Sequence, residues 1–275
     1  MDEHKPKSRK QLNKQQAKIL LILYKFRFGT TELIVNFQVL ESIRYSNTRL
    51  RILLDQGYIG RNYDDRYRLL NKPASYYLLP KGIKYLKQNP SYINPIVLNL
   101  AYKDKSASET FINRCLTIFE LCNKLAKLYG KTNIDFFSKS EIAVAEYYPK
   151  PMPDAFLHFI DMFENLPDYM LELALTSTPF FAIRRRVLQY IDHFDSGEWE
   201  AKTASNYPNL LFVCESANLE RRLQKCIYKI LDKSGIDDLK CFTTTMKALV
   251  SSQRASDKIW SGVFEPDELI SLGAM

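Results

Sequence analysis

Residues 14 to 28, "KQQAKILLILYKFRF", place apolar side chains at Ile19, Leu20, Leu23, Tyr24 and Phe26, and this near-3.6 spacing predicts an amphipathic helix. In "GTTELIVNFQ", Thr30 or Thr31 can cap a short second helix. The stretch "SIRYSNTRLRILLDQGYI" predicts a third, with Ile43, Leu50, Leu53 and Leu54 as its apolar side and Arg44, Ser46, Asn47, Arg49 and Arg51 turned outward. Gly57 is placed to end it, as glycine often does at helix C-termini. Two β-prone stretches, "YIGRNYD" and "SYYLLP", follow on either side of "DRYRLLNKPA", and "PKGIKYLKQ" can restart a helix with Gly82 near its first turn.

The pattern breaks over residues 89 to 106, "NPSYINPIVLNLAYKDKS", where two prolines lead into a charged stretch that reads as a boundary. Beyond it, "SASETFINRCLTIFELCNKLAKLYG" is a strong helix capped by Ser106 or Ser108, with Phe111, Cys115, Ile118, Phe119, Cys122, Leu125 and Leu128 along one side. After Gly130 the pattern turns to strands, "AFLHFI" and "YMLELAL". A helix "FFAIRRRVLQYIDHF", a buried strand "NLLFVCES", a helix "LERRLQKCIYKIL" and a last strand near "LKCFTTT" complete it. A sheet flanked by helices is an α/β arrangement. The expected organisation is a basic N-terminal segment 1–13, a first domain 14–90, a linker 91–106 and an α/β domain 107–275.

Charge sharpens this division. Residues 1 to 105 carry 20 Lys and Arg against 8 Asp and Glu, whereas residues 106 to 275 carry 19 against 23. A basic front suits a polyanion, and DNA or RNA is the usual one. No window approaches the roughly 18 apolar residues of a membrane span, and the N-terminus lacks the apolar core of a signal peptide, so the expected setting is cytoplasmic with no membrane partner. Five cysteines without a C-x-x-C pair, and three histidines away from them, suit reduced thiols better than a zinc site.

Three short helices and a two-stranded ribbon resemble the winged helix-turn-helix, on the residues "SNTRLRILLDQGYIGRN" and "SYYLLPKGIKYL". In such modules the third helix enters the major groove of double-stranded DNA and the wing touches the backbone or the minor groove. That makes Arg44, Ser46, Asn47, Arg49 and Arg51 candidates for base contact, since Arg and Asn can pair with guanine and adenine edges. Arg61, Arg66, Arg68 and Lys72 would contact phosphates, which position without specifying. The alternative is a solvated basic face on a protein-binding module.

In the second half, "PDAFLHFI" and "YMLELAL" flank the turn-like "DMFENLPD" and predict a hairpin. With the turn centred on Phe163, Asp154 and Glu172 become cross-strand neighbours, with Cβ atoms about 4.5–5.5 Å apart. Two like charges at that range need relief from a cation, a proton or a base, and magnesium held by oxygen ligands is one answer.

The segments "PMPDAFLHF", "MLELALTSTP", "RRRVLQY" and "YPNLLFVCES" resemble, in that order, the replication-relaxation family of plasmids and other mobile elements. That resemblance spans residues 14 to 230 and implies a winged helix joined to a restriction-endonuclease-like domain of the PD-(D/E)XK type. It implies that Pro153-Asp154 and Glu172 match the two metal-holding acids, and that Glu141 could match an acid some members carry upstream. The motif's lysine has no match, because the chain reads Glu172-Leu173-Ala174. Arg186 and Tyr190, four apart on one helix face, resemble the family's basic residue and tyrosine; an arginine there stabilises phosphate charge without acting as a base.

Neither G-x-x-x-x-G-K-[ST] nor G-x-G-x-x-G occurs, which removes the phosphate-cradling loops of ATPases and dinucleotide enzymes. The expected function is sequence-specific binding of double-stranded DNA at an origin or operator of a mobile element, in replication, mobilisation or their regulation, with a degenerate nuclease-like domain. The alternatives are a magnesium-dependent nuclease or relaxase-like nickase using Asp154, Glu172 and Arg186, and a protein-interaction adaptor. Replication or transfer proteins, and a second copy on a palindromic site, are the partners these readings imply.

Overall fold

A computed structural model describes residues 12–38, 42–88, 93–160 and 166–272. The chain divides at Ser106–Ala107 into two compact units. Among the described residues the fold is α/β, with helices around a mixed sheet.

In the first unit, α1 (Lys14–Phe26) opens with a reciprocal cap in which Asn13 and Gln16 each accept the other's backbone N–H, at 2.9 and 3.0 Å. Its predicted apolar residues are buried. Thr30 caps α2 (Thr31–Gln38), its hydroxyl accepting from Leu33 N–H. Helix α3 (Ile43–Asp55) is capped by Ser42 and closes at Gly57, whose φ of 72° suits a residue without Cβ. Strands β1 (Ile59–Asn62) and β2 (Ser75–Leu78) form an antiparallel ribbon with Ile59 opposite Leu78, and Gly29 adds a bridge to Tyr76 at its edge. Within the ribbon's connection lies a helical turn, α4 (Asp65–Leu69), and after the ribbon comes α5 (Pro80–Lys87). Leu20, Leu23, Ile34, Leu50, Leu53, Ile59 and Ile83 are buried in this unit.

Of the linker expected over 91–106, the described part is folded. Residues 93 to 106 hold α6 (Pro95–Leu100) and a 3₁₀ turn (Ala101–Ser106), and both belong to the first unit. Pro95 occupies the first helical position, where a missing N–H costs nothing, and the Asn94 side chain caps Ile96 and Val97 at 2.7 and 3.3 Å. What looked like a break is a helix start. Asp104, 2% exposed, accepts two hydrogen bonds from Arg27 Nε, and Arg27 Nη2 donates to Leu100 O, which ties the segment to the end of α1.

The second unit opens with α7 (Glu109–Tyr129), capped by Ser108. Among the described residues seven strands lie in chain order: β3 (Ile134–Ser138), β4 (Ala155–Phe159), β5 (Tyr169–Ala174), β6 (Asn209–Cys214), β7 (Cys241–Thr245), β8 (Trp260–Gly262) and β9 (Leu269–Ile270). The pairs β5–β6 and β6–β7 are parallel and the other pairs antiparallel. The hairpin turn expected at Phe163 lies outside the described residues, but the strands it joins pair with Ala155 opposite Leu171. A short helix α8 (Lys139–Ile142) follows β3. Parallel strands need crossovers, supplied by α9 (Phe180–Asp195) with α10 (Glu198–Thr203), and by α11 (Ala217–Ser234); α12 (Met246–Ser251) follows β7. Every residue of β5 and β6 is buried, as expected of strands covered on both faces. Met170, Ala174, Leu210, Phe212 and Cys214 pack with Val187, Tyr190, Ile191, Leu223 and Ile227 in one core.

Candidate functional site

The first unit offers the outer face of α3. Arg44, Asn47, Thr48 and Arg51 are exposed, and helical spacing places them on one side. The face is braced: Thr48 Oγ1 donates to Arg44 O at 3.1 Å, and Thr31 Oγ1 of α2 donates to Asn47 Oδ1 at 3.0 Å. Tyr45 stands beside it, 66% exposed, an aromatic missed in the sequence because it adjoins the helix start. Ser46 is not on this face. It is fully buried and shares an i, i+4, i+7 stripe with Leu50 and Leu53, while Ile43, expected inside, is 56% exposed. Starting the apolar stripe at Ile43 rotated the predicted face; a small hydroxyl side chain fills the close-packed position instead. Arg49 is half-buried on the flank.

On the ribbon, Arg61 is exposed with its guanidinium 5.1 Å from the Tyr63 ring, and Lys72 lies 5.1 Å from the Tyr67 ring. Arg66 is exposed near Asp64, at 3.8 Å. Arg68 lies on α4, and its side chain is outside the described residues. Lys81, absent from the sequence expectation, sits 4.2 Å from the Tyr58 ring.

The second unit brings Asp154 and Glu172 together, 4% and 8% exposed. Regular pairing ends at Ala155–Leu171; Asp154 N–H donates to Leu171 O at 3.0 Å, and the Asp154 carboxylate accepts Leu173 N–H at 2.9 Å. Glu172 falls on the sheet face that α9 covers. Its Oε1 accepts from Arg186 Nε and from the Tyr190 hydroxyl, both at 2.6 Å. Arg186 also donates to Tyr190 Oη at 2.7 Å and to Pro151 O. From α7, Arg114 grips the Asp154 carboxylate through Nε (3.1 Å) and Nη2, donates to Leu173 O at 3.0 Å, and lies 3.6 Å from Glu172 Oε2.

Sequence reasoning missed Arg114. Its signal was there: Phe111, Arg114, Cys115 and Ile118 share one helix face, and a cation inside an apolar stripe implies a buried anion. Lys139, also missed, lines a cavity of about 220 Å³ with Arg114, Asp154, Glu172, Ala174 and Arg186.

Two carboxylates therefore meet two guanidiniums, and their charges cancel. Burial raises the Glu172 carboxyl above its ordinary value, the Asp154 charge adds to this, and Arg186, Arg114 and Tyr190 oppose it. Burial disfavours the Arg114 and Arg186 charges, but the neighbouring carboxylates outweigh it and hold both above the usual guanidinium value. Burial, and then the Glu172 charge, push Tyr190 well up, and its neutral hydroxyl donates to Glu172.

The donor set does not fit a divalent ion. Both Asp154 oxygens and Glu172 Oε1 are committed to N–H and O–H donors. Glu141 is engaged elsewhere, accepting from Ser138 N–H at 2.8 Å and Ser138 Oγ at 3.0 Å in the cap of α8. Among the described residues no group of three His, Cys, Asp or Glu is placed to hold a metal. All five cysteines are free thiols, and no helix among the described residues is long and apolar enough to cross a membrane. Comparison with protein families, characterised proteins and solved structures finds no match to this chain.

Proposed function

We propose that the protein is a sequence-specific binder of double-stranded DNA, in which the first unit is a winged helix that lays α3 in the major groove with the β1–β2 ribbon as its wing. The observation that carries this reading is the exposed row Arg44, Asn47, Thr48 and Arg51 on α3, within the part of the chain that holds its positive charge. Arginine and asparagine can bond base edges in pairs, and Arg61, Arg66 and Lys72 would hold the backbone. Ser46 drops out of the contact set because it is buried.

The second unit fits a restriction-endonuclease-like scaffold that has lost its lysine at Ala174 and balances its acids with arginines. This supports the role of a DNA-binding protein of the replication-relaxation type, acting at an origin or operator of a plasmid or other mobile element. It weighs against a magnesium-dependent nuclease or nickase, since Arg114 and Arg186 already supply the charge that a metal would bring.

Selection of duplexes by the full chain from a randomised pool tests the reading, followed by titrations across salt concentration. The expected outcome is an enriched sequence bound with a steep loss of affinity on added salt. Arg44→Ala and Arg51→Ala should each lose about 1–3 kcal/mol of discrimination where the side chain reads a base, and Ser46→Ala none. Failure to enrich any sequence would overturn it and leave the protein-interaction adaptor standing.

A further inference from the structure

The ribbon connection is a hydrogen-bonded turn. Asp64 caps α4, its Oδ1 accepting Tyr67 N–H at 3.1 Å, and Leu70 N–H returns to Arg66 O at 3.0 Å. Asn71 takes the left-handed conformation at φ 49°, and Lys72 N–H reaches back to Tyr67 O at 2.8 Å, closing the turn as helix-ending motifs do. The Lys72 ammonium then lies over the Tyr67 ring, and the Tyr67 ring meets Tyr63 edge-on at 6.1 Å.

The outcome is that two adjacent leucines are held outside the fold: Leu69 is 84% exposed and Leu70 73%. Among the described residues of the first unit no other large hydrophobic side chain matches Leu69 in exposure, and both leucines sit on backbone with its local hydrogen bonds made. The same stretch carries Arg61, Arg66 and Lys72, with Asp64 3.8 Å from Arg66. Residues 61 to 72 carry four Arg and Lys against two Asp, and an apolar point on a net basic stretch is complementary to a polyanion with an apolar interior, which describes stacked base pairs between phosphate rails. Proteins that enter the minor groove use leucine in this way, parting a base step and kinking the duplex.

We propose that Leu69 and Leu70 form a wedge that enters the minor groove beside the site read by α3 and bends the DNA. The wedge rests on the reading of the first unit as a DNA-binding module. It adds a class of target, since flexible pyrimidine–purine steps are the cheapest to open and should be favoured at the wedge position.

The test uses the full chain and a duplex it has selected from a randomised pool, carrying donor and acceptor dyes at its two ends. Energy transfer should report a bend of roughly 20–90° in the wild-type complex. The double variant Leu69→Ala/Leu70→Ala should bind the same sequence and leave it straight, while Leu69→Met/Leu70→Met should keep the bend. Because both side chains are exposed, the alanine variant should unfold at the wild-type temperature. An equal bend in the alanine variant, or an unbent wild-type complex, overturns the wedge and leaves DNA binding intact. Failure to select any duplex overturns both together.

Discussion

Replacing Arg186 by methionine would break the buried charge cluster at its most connected point. The arginine donates from Nε to Glu172 Oε1 at 2.6 Å, from Nη2 to Tyr190 Oη at 2.7 Å, and from Nη1 to Pro151 O. Its side chain is 11% exposed and that of Glu172 10%, so the Glu172 bonds lie largely out of bulk water. Without it, Glu172 keeps the Tyr190 hydroxyl and an Arg114 guanidinium at 3.6 Å. Removing one partner from a buried pair costs about 3–5 kcal/mol, compared with about 0–1 kcal/mol for a surface pair. For a domain of this size each kcal/mol lowers the melting temperature by about 2–4 °C, so the expected fall is about 6–20 °C. The double variant Arg186→Met/Glu172→Gln should recover part of the loss, because the second change removes the stranded charge. Urea unfolding of the wild type, both single variants and the double variant measures the coupling, expected near the top of the 0.5–3 kcal/mol range for contacting residues. A single-variant loss below about 1 kcal/mol, or strict additivity, would show that the cluster is loosely held and the assignment of charge balance is wrong.

Magnesium at millimolar concentration should leave the melting temperature unchanged, since an ion that binds the folded state stabilises it by mass action; a rise abolished by Asp154→Asn would refute the misfit to metal. Burial lowers the His193 imidazole below its ordinary value, so the neutral ring stabilises the fold above about pH 6.5, and that contribution is lost as pH falls through the lower folded value. Thermal melts between about pH 7 and 5 should show the loss, and His193→Gln should flatten it; an equally steep variant would refute the assignment. A Cβ on Gly82 would lie 2.4 Å from Tyr58 O, a carbonyl that already accepts Leu79 N–H, so Gly82→Ala should destabilise the first unit by about 1–3 kcal/mol, read as a lower denaturant midpoint.

Much of the fold was legible because its signals are local. Helices α1, α3, α7, α9 and α11 announce themselves by spacing, with Gly57 marking the end of α3 and Ser108 the start of α7, and β5 and β6 by short apolar runs. The failures were also local in cause. Strand β3 has consecutive phenylalanines, of which Phe136 points in and Phe137 is 37% exposed, and this hides its alternation. Strands β8 and β9 are three and two residues long, too short for any period. The prolines around α6 read as a break because proline both ends and begins helices, and only the Asn94 cap and the Arg27–Asp104 pair show which applies.

The candidate site divides along the same line. The juxtaposition of Asp154 and Glu172 follows from hairpin register, which two sequence-adjacent strands specify between themselves. Their partners do not follow from it, since Arg114 arrives from a helix 40 residues before Asp154 and is separated from it by β3 and α8. Two acids read alone ask for a cation, and the natural answer in their sequence neighbourhood is a metal or Arg186. With Arg114 present, the acids and guanidiniums already number two each, and Tyr190 completes the hydrogen bonding. In a cluster whose two acids and two guanidiniums balance, a further ion would have to compete with the arginines for the carboxylates. Arg114 from α7 and Arg186 from α9 thus tie two helices to the acids on the edge of β4 and on β5, so the cluster holds sheet and helices together.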